Sequence, residues 1–354
     1  MYPRTLRWIA VTAAAVAAVL CWYLLTREPD ATPRTAGKAP AAAAVTGRGI
    51  PPPPAQWPEI GTPQFKHLAR DRALPWLDAR GRDPAGLVAM WDLTGDESFL
   101  TEAADRFPHD PIVCIAMIGK EANTASKALP WIERFLATQP HNPHAWHLKA
   151  WALLESDLGG ALIALQQAVT EGGPRESMVS VRAWTVREAA LAAGMSAGNA
   201  ARLAIDAPLD RTTSCRVTDG ICRTIIAEFD QAKAAADHDR LKQIAHLALV
   251  TALSITGGGP VTFRDERMIN RRALILLSDL PDDAELDPAG PSVGALKSDL
   301  ESRLASLEKA GASYIATLER LRTASDDILV YYAETLLTLG EHTAVSVLPA
   351  EPTP

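Results

Sequence analysis

Apolar residues recur every three or four positions along most of the chain beyond residue 63, which is the spacing of one face of an α-helix. Three such apolar faces are clearest, and their residues are Ala128, Ile132 and Phe135; Ala145, Leu148 and Ala152; and Ala161, Leu165 and Ala168. Gly159 and Gly160 are interpreted as the turn between the last two faces. Runs of β-branched residues are scarce, and no strand is predicted. The pattern indicates an all-α fold.

Three short phrases mark where helices begin. Asp83-Pro84, Asp110-Pro111 and Asn142-Pro143 each place a good N-cap residue before a proline, whose fixed φ suits the first helical position. The phrases are 27 and 32 residues apart, a spacing typical of helical repeat arrays. Residues 175–210 continue with helical spacing, and we expect them to close the array.

The segment from residue 83 to residue 174 resembles the tetratricopeptide repeat family, whose units are antiparallel helix pairs ending near a proline, here Pro140 and Pro174. The step from Ala128 to Ala161 fits this repeat, whereas Lys149 departs from its small-residue pattern and the first unit is short. The resemblance implies a concave protein-binding surface. Ordinary packing in a helical bundle is the alternative.

The C-terminal half predicts further helices: two between residues 222 and 254, joined near residues 236–239, and others over about 265–280, 293–322 and 326–339. The 293–322 helix carries a seam with coiled-coil spacing. The seam residues are Leu300, Leu304, Leu307, Gly311, Tyr314, Leu318 and Leu321. An antiparallel hairpin with the last helix is the preferred interpretation, and a homodimer through residues 300–321 is the alternative.

The N-terminus predicts a membrane anchor. Residues 9–25 carry no charge, and Trp8, Trp22 and Tyr23 lie at the two ends of the segment, as interfacial anchors do. Arg4 and Arg7 favour a cytoplasmic head, so the bulk would face the periplasm or exterior of a bacterial-type inner membrane. A cleaved signal peptide is the alternative, although the residues after the segment offer a poor cleavage site.

The chain is therefore expected to divide into six parts. They are a cytoplasmic head (1–8), a transmembrane anchor (9–25), a disordered Pro/Ala-rich linker (26–62), a repeat lobe (63–210), a C-terminal helical domain (211–348) and a tail (349–354).

Charge and cysteine content exclude some functions. A net charge of -7 and the lack of a Lys/Arg cluster argue against nucleic acid as a partner. Four cysteines do not make a disulfide framework. Cys215 and Cys222 can pair only if Asp219-Gly220 forms a turn, because two cysteines seven residues apart on one helix are about 10 Å apart. Both possibilities remain open at this point.

No motif predicts a catalytic residue, a metal site or a cofactor. His141, His144 and His147 form a histidine-rich start to one helix, more typical of exposed imidazoles than of zinc ligands. GMSAG, residues 194–198, has the spelling of a nucleophile elbow, but helices flank it, so Ser196 is interpreted as an N-cap. GGGP, residues 257–260, ends a helix and lacks the context of a phosphate loop.

Two surfaces are candidates for binding a partner: His144, Trp146 and Lys149 at the start of one repeat, and Arg267 and Arg271 on a helix that also carries Arg264 and Arg272. The preferred interpretation of the arginine face is a solvated face paired with Asp265, Glu266 and Asp279, and the alternative is a face that binds an acidic partner or a lipid headgroup. We expect a membrane-tethered, non-enzymatic scaffold that binds other envelope proteins. An envelope enzyme or receptor with a site between the two lobes, and a purely structural spacer, are the alternatives.

Overall fold

The computed structural model describes residues 57–171, 178–206, 211–255, 263–286, 290–339 and 344. The predicted head, anchor, most of the linker, Pro174, the 257–260 glycine run and the tail lie outside these residues. Residues 53–354 belong to one compact unit. Within the described ranges no helix is long and apolar enough to cross a membrane.

The described residues form fourteen α-helices and no strand, which confirms the all-α prediction. The first seven are α1 (Pro63–Ala79), α2 (Pro84–Thr94), α3 (Glu97–Arg106), α4 (Pro111–Lys120), α5 (Ala125–Thr138), α6 (Pro143–Leu153) and α7 (Leu158–Glu171). The others are α8 (Val179–Ala192), α9 (Ala197–Asp206), α10 (Arg211–Ala234), α11 (His238–Ile255), α12 (Phe263–Ser278), α13 (Val293–Arg322) and α14 (Asp326–Leu339).

The predicted helix starts are confirmed by their caps. The backbone N–H of Gly86 donates to Asp83 Oδ1 at 2.6 Å, that of Ile112 to Asp110 Oδ1 at 2.9 Å, and that of His144 to Asn142 Oδ1 at 3.0 Å. Each cap satisfies a donor that has no partner inside the helix, and the proline that follows has no N–H to satisfy. These starts are therefore local features that the sequence specifies without help from packing.

Helices α1 to α7 pack mostly as successive neighbours, and the apolar faces predicted for α5, α6 and α7 are buried. One detail of the prediction is wrong. Gly159 and Gly160 lie in the first turn of α7, and the helix begins where Gly160 N–H donates to Asp157 Oδ1 at 2.9 Å. Asp157 therefore takes the capping role, and the glycines follow it.

The expectation that residues 175–210 close the array is wrong: helices α8 and α9 do not lie at its C-terminal side. Helix α8 packs against α1 and α2 at the beginning of the stack, and α9 packs against α8. The stack is continued instead by α10 and α11, which pack against α6 and α7. A guanidinium and a carboxylate hold α8 on α2: Arg182 binds Asp92 through two hydrogen bonds of 2.6 and 3.0 Å.

The hydrophobic clusters do not divide at residue 210. The largest runs from Cys114 to Leu300 and packs α4 to α7 together with α10 to α13, through residues such as Trp151 and Ile221. A second cluster joins α1 to α4 with α8 and α9, and a third joins α9 and the end of α13 with α14. The junction between the two predicted lobes is therefore filled by packed apolar side chains.

Helices α13 and α14 have the predicted bounds but not the predicted packing. Helix α13 packs against α12, and Leu300, Leu307 and Leu321 of its seam are buried within the chain. Helix α14 packs against α9 and α8. The expected α13–α14 hairpin is wrong, because each helix has a longer apolar contact elsewhere. The buried seam leucines are also not available to a second copy of the chain.

Helix α10 crosses α6 closely at Gly220, one of the two residues considered above as a turn. Gly220 lies in the interior of α10, where an added Cβ would be 2.7 Å from both Trp151 Cδ1 and Leu154 Cδ1 of α6 and the residue after it. The absence of a side chain lets α10 approach α6 this closely. At Gly311, in the interior of α13, no described atom outside the neighbouring helix backbone lies within 4 Å of an added Cβ.

These two glycines predict substitutions of opposite sign. Gly311→Ala is expected to stabilise the protein by about 0.5–1 kcal/mol, because alanine is the better helix former. Gly220→Ala is expected to destabilise it by about 1–3 kcal/mol, because the new methyl group overpacks the crossing. Urea unfolding followed by circular dichroism measures both. Stabilisation by Gly220→Ala would show that the α6–α10 approach is looser than described.

Candidate functional site

The outer face of α12 carries two arginines that are not neutralised within the described structure. Arg267 and Arg271 are exposed and one helical turn apart. Among the described residues neither makes an ion pair, although other charged groups of the same region do, such as Glu266 with Arg303. Ile275 continues the same line one turn later and is 48% exposed. We name the surface of Arg267, Arg271 and Ile275 the α12 outer face.

The acids expected to neutralise these arginines are engaged elsewhere, so that expectation is wrong. Glu266 accepts a hydrogen bond of 2.9 Å from Arg303 Nη2 of α13. Asp279 accepts one of 2.9 Å from Lys233 Nζ of α10. Asp265 is fully buried. The cause is rotation around the helix: Asp265 and Glu266 lie on the side that faces the core, away from the arginines.

The second candidate surface is used inside the molecule. Lys149 Nζ lies 2.9 Å from Glu133 Oε1 of α5 and 5.5 Å from the centre of the Trp146 ring. Trp146 Nε1–H donates to the carbonyl oxygen of Pro140 at 2.8 Å. His144 is half-buried. These contacts connect α6 to α5 and to the turn before it, so they stabilise the fold locally.

The structure does not bring the two candidate surfaces together. His144, Trp146 and Lys149 lie on α6, whereas Arg267 and Arg271 lie on α12, and both helices pack against α10. A partner that binds the arginines of α12 therefore need not contact the candidate residues of α6.

The three histidines near the start of α6 do not converge. His147 is 1% exposed, which corrects the expectation that all three imidazoles are exposed. His141 Nδ1 lies 2.5 Å from Glu171 Oε2, and the hydrogen bonds from His141 and Gln167 lower the pKa of Glu171. Within the described ranges no group of three or more His, Cys, Asp or Glu side chains is arranged to hold a metal ion.

Ser196 caps a helix, as predicted. Its Oγ accepts the backbone N–H of Asn199 at 3.2 Å, at the start of α9. The neighbouring Gly198 lies against Asp326 at the start of α14. The serine is therefore held by a local capping interaction, and the glycine serves a helix contact.

Cys215 and Cys222 lie on one continuous helix, α10, so the Asp219-Gly220 turn that a disulfide requires is not formed. Seven residues of helical rise separate the two positions by about 10 Å, beyond the reach of a disulfide. Cys222 is a free, buried cysteine, as is Cys114. Burial raises the pKa of Cys222 to about 12 and that of Cys114 to about 11. Both thiols are therefore protonated at neutral pH and are poor nucleophiles.

Comparisons with protein-family models, with curated proteins and with solved structures find no match for this chain.

Proposed function

We propose that this protein is a non-enzymatic scaffold that binds another protein chain through the α12 outer face. The observation that carries the proposal is that Arg267 and Arg271 make no ion pair with any residue that the structure describes, in a chain whose net charge is -7. Two like charges at positions i and i+4 of a helix repel each other, at a cost of about 0.2–0.5 kcal/mol. An anionic partner removes that repulsion.

The chemistry of this face suits a protein partner. Arginine is enriched in protein interfaces, because guanidinium groups bind carboxylates through paired hydrogen bonds. Ile275 places an apolar side chain beside the arginines, and its burial on binding adds a favourable hydrophobic contribution. A partner that offers carboxylates around an apolar contact satisfies both features.

We also propose that residues 9–25 anchor the protein in a bacterial-type inner membrane, with the helical body in the periplasm or exterior. The uncharged segment, its aromatic ends and the basic head before it support this. The following Pro/Ala-rich residues 26–56 would act as a tether with a reach of roughly 30 Å as a coil, since Trp57 is already hydrogen-bonded to the Gly194 carbonyl oxygen of the helical body. Binding would then take place near the membrane surface.

A stack of paired helices supports a scaffold role, because it presents long, rigid helix faces to partners. Its resemblance to tetratricopeptide repeats belongs to this proposal. Two residues considered as possible reactive groups have structural roles instead: Ser196 caps α9, and Cys222 is packed in the core.

The proposal predicts that a photo-reactive residue at position 275 of the full-length chain, expressed in cells, forms a covalent adduct with a protein. The same residue at position 315 is the matched control, because Ile315 is even more exposed, at 62%, on the neighbouring helix α13. The adduct at 275 should be lost when Arg267→Glu and Arg271→Glu are combined with it. An equal yield at 275 and 315, or a yield insensitive to the two substitutions, contradicts the proposal.

A further inference from the structure

One face of α14 is left largely uncovered by the described part of the chain. Asp327, Tyr331 and Glu334 lie on it, since residues four and three positions apart share a helix face. Tyr331 is 47% exposed, and the side chain of Glu334 is 49% exposed although Arg187 lies 3.2 Å away. Asp327 is exposed and makes no ion pair with a described residue. We name the surface of Asp327, Tyr331 and Glu334 the α14 outer face.

The chain enters the helical body close to this face. Trp57 is the first described residue, and its indole Nε1–H donates to the carbonyl oxygen of Gly194 at 3.2 Å. Gly198 lies four residues after Gly194 and against the start of α14, where an added Cβ would be 2.8 Å from Asp326 Cα. Four residues span at most about 14 Å. The residues before Trp57 therefore begin near the N-terminal end of α14.

The chain before Trp57 is opposite in charge to the helical body. Residues 31–56 contain Arg34, Lys38 and Arg48 and no acidic residue. The first 56 residues hold six basic and two acidic residues in all, so the net charge of -7 for the whole chain leaves -11 on residues 57–354. The linker is therefore attracted to acidic parts of the body, more strongly at low salt.

The residues nearest to Trp57 suit an exposed aromatic ring flanked by a carboxylate. Pro51–Pro54 favour the extended polyproline II conformation, which is preformed and binds aromatic surfaces with little loss of entropy. Arg48 lies three residues before these prolines. At 3.1 Å per residue, the nine residues from Arg48 to Trp57 reach roughly 28 Å. That reach allows the segment to extend from Trp57 onto the α14 outer face.

We infer that residues 48–56 of this chain dock on the α14 outer face, with Arg48 paired with Asp327 and the prolines against the Tyr331 ring. The place where the chain enters, its length and its charge favour this occupant. A tethered segment binds at an effective concentration in about the millimolar range, whereas a separate partner also loses translational and rotational freedom on association. A contact of modest area is therefore sufficient for the linker.

Docking shortens the tether of a membrane-anchored chain. With residues 48–56 on α14, only residues 26–47 remain as coil, and the reach falls from roughly 30 Å to roughly 25 Å. The α14 side of the body then faces the anchored end of the chain. The docking is independent of the proposed role of α12, because α14 packs against α8 and α9, whereas α12 packs against α10, α11 and α13.

Trypsin cleavage of the full-length chain in mild detergent tests the docking. Cleavage after Arg48 should be slower than after Arg34 and Lys38, the controls within the same linker, by about five- to tenfold, because a docked segment must open before it is cut. Asp327→Arg should remove this protection and leave the rates at the two controls unchanged. Equal rates at Arg48 in the parent and in an Asp327→Arg variant that circular dichroism shows to be folded overturn the inference.

Photo-crosslinking with charge exchange tests the pairing. An aromatic photo-reactive residue at position 331, which keeps a ring there, should crosslink within one chain to residues 48–56, as identified by mass spectrometry of the peptides. The same residue at position 163 of α7 is the control, because Ile163 is 64% exposed and α7 packs against α6, α10 and α11. Arg48→Glu should abolish the crosslink at 331, and adding Asp327→Arg should restore it.

Three outcomes of this experiment contradict the docking. A crosslink at 331 that survives Arg48→Glu shows that the charge pair does not hold the segment. A folded double variant that does not recover the crosslink has the same meaning. A crosslink at 331 that joins two chains, or this chain to another protein, assigns the α14 outer face to a different occupant. Each of these results leaves the crosslinking of position 275 on α12 unaffected.

Discussion

Replacing Arg182 by alanine is expected to lower the free energy of unfolding by about 3–5 kcal/mol, the largest effect of any single substitution considered for this protein. Arg182 of α8 and Asp92 of α2 form a bidentate pair whose side chains are only 7% and 6% exposed. Alanine at position 182 leaves the Asp92 carboxylate buried without its guanidinium. The penalty is thus chiefly that of a buried carboxylate that has lost its bidentate guanidinium partner.

A double-mutant cycle measures this coupling. Arg182→Met and Asp92→Leu each break the pair, and the two together replace it by apolar side chains. The double variant is expected to be more stable than either single variant by about 2 kcal/mol or more, because no buried charge remains. Urea unfolding, monitored by circular dichroism and tryptophan fluorescence, gives the unfolding free energy of each of the three variants relative to the parent.

The control for this cycle is an exposed ion pair of the same type. Arg223 binds Asp219 at 2.7 Å on the surface of α10, with side chains 75% and 45% exposed. Arg223→Ala is expected to cost less than about 1 kcal/mol, because solvent screens the charges. If Arg182→Ala costs no more than Arg223→Ala, the α2–α8 pair does not hold the two helices together as described.

Gly198→Ala is expected to destabilise the contact between α9 and α14 by about 1–3 kcal/mol, and Gly198→Val by more. A Cβ at position 198 would lie 2.0 Å from Asp326 Oδ1 and 2.8 Å from Asp326 Cα. The second contact is with backbone, so a side-chain rotation cannot relieve it. Helix α14 must move, and Tyr332 and Leu336 then lose part of the burial that they have in the third hydrophobic cluster.

Hydrogen exchange of α14 amides is the direct measurement for this substitution. Amides of α14 should exchange faster in Gly198→Ala than in the parent, while those of α6 and α7 change little, because the contact is confined to one region. Gly159→Ala is the matched control, since its nearest neighbour is Asp157 Oδ1 at 3.7 Å. Combining Gly198→Ala with Asp326→Ala should recover part of the loss. Unchanged exchange in α14 would contradict the close approach.

Part of the candidate site was predictable from residue types. Arg267 and Arg271 are spaced for one exposed helix face, and the structure places both at the surface. Their lack of acid partners was not predictable, because Glu266 and Asp279 bind cations that lie 37 and 46 residues away along the chain, Arg303 and Lys233. An acidic residue close in sequence to these arginines therefore does not neutralise their charge.

The Arg182–Asp92 pair was missed although a signal was present. Each residue is a lone charge inside an otherwise apolar helical segment, MWDLT and VSVRAW. A charge on an apolar face usually has an opposite charge facing it in the core. The sequence does not say which acid faces which arginine, because the two lie 90 positions apart.

The sequence by itself determined the helical class and the ends of several helices. The starts at Pro84, Pro111 and Pro143 and the bounds of α13 and α14 follow from caps, prolines and apolar spacing, all of which act within a few residues. Only the tertiary structure decided which helices are neighbours: α8 returns to α1 and α2, and α14 packs on α9. The physical reason is that an apolar helix face fits many other apolar faces, and the choice between them depends on shape and buried charge across the whole chain.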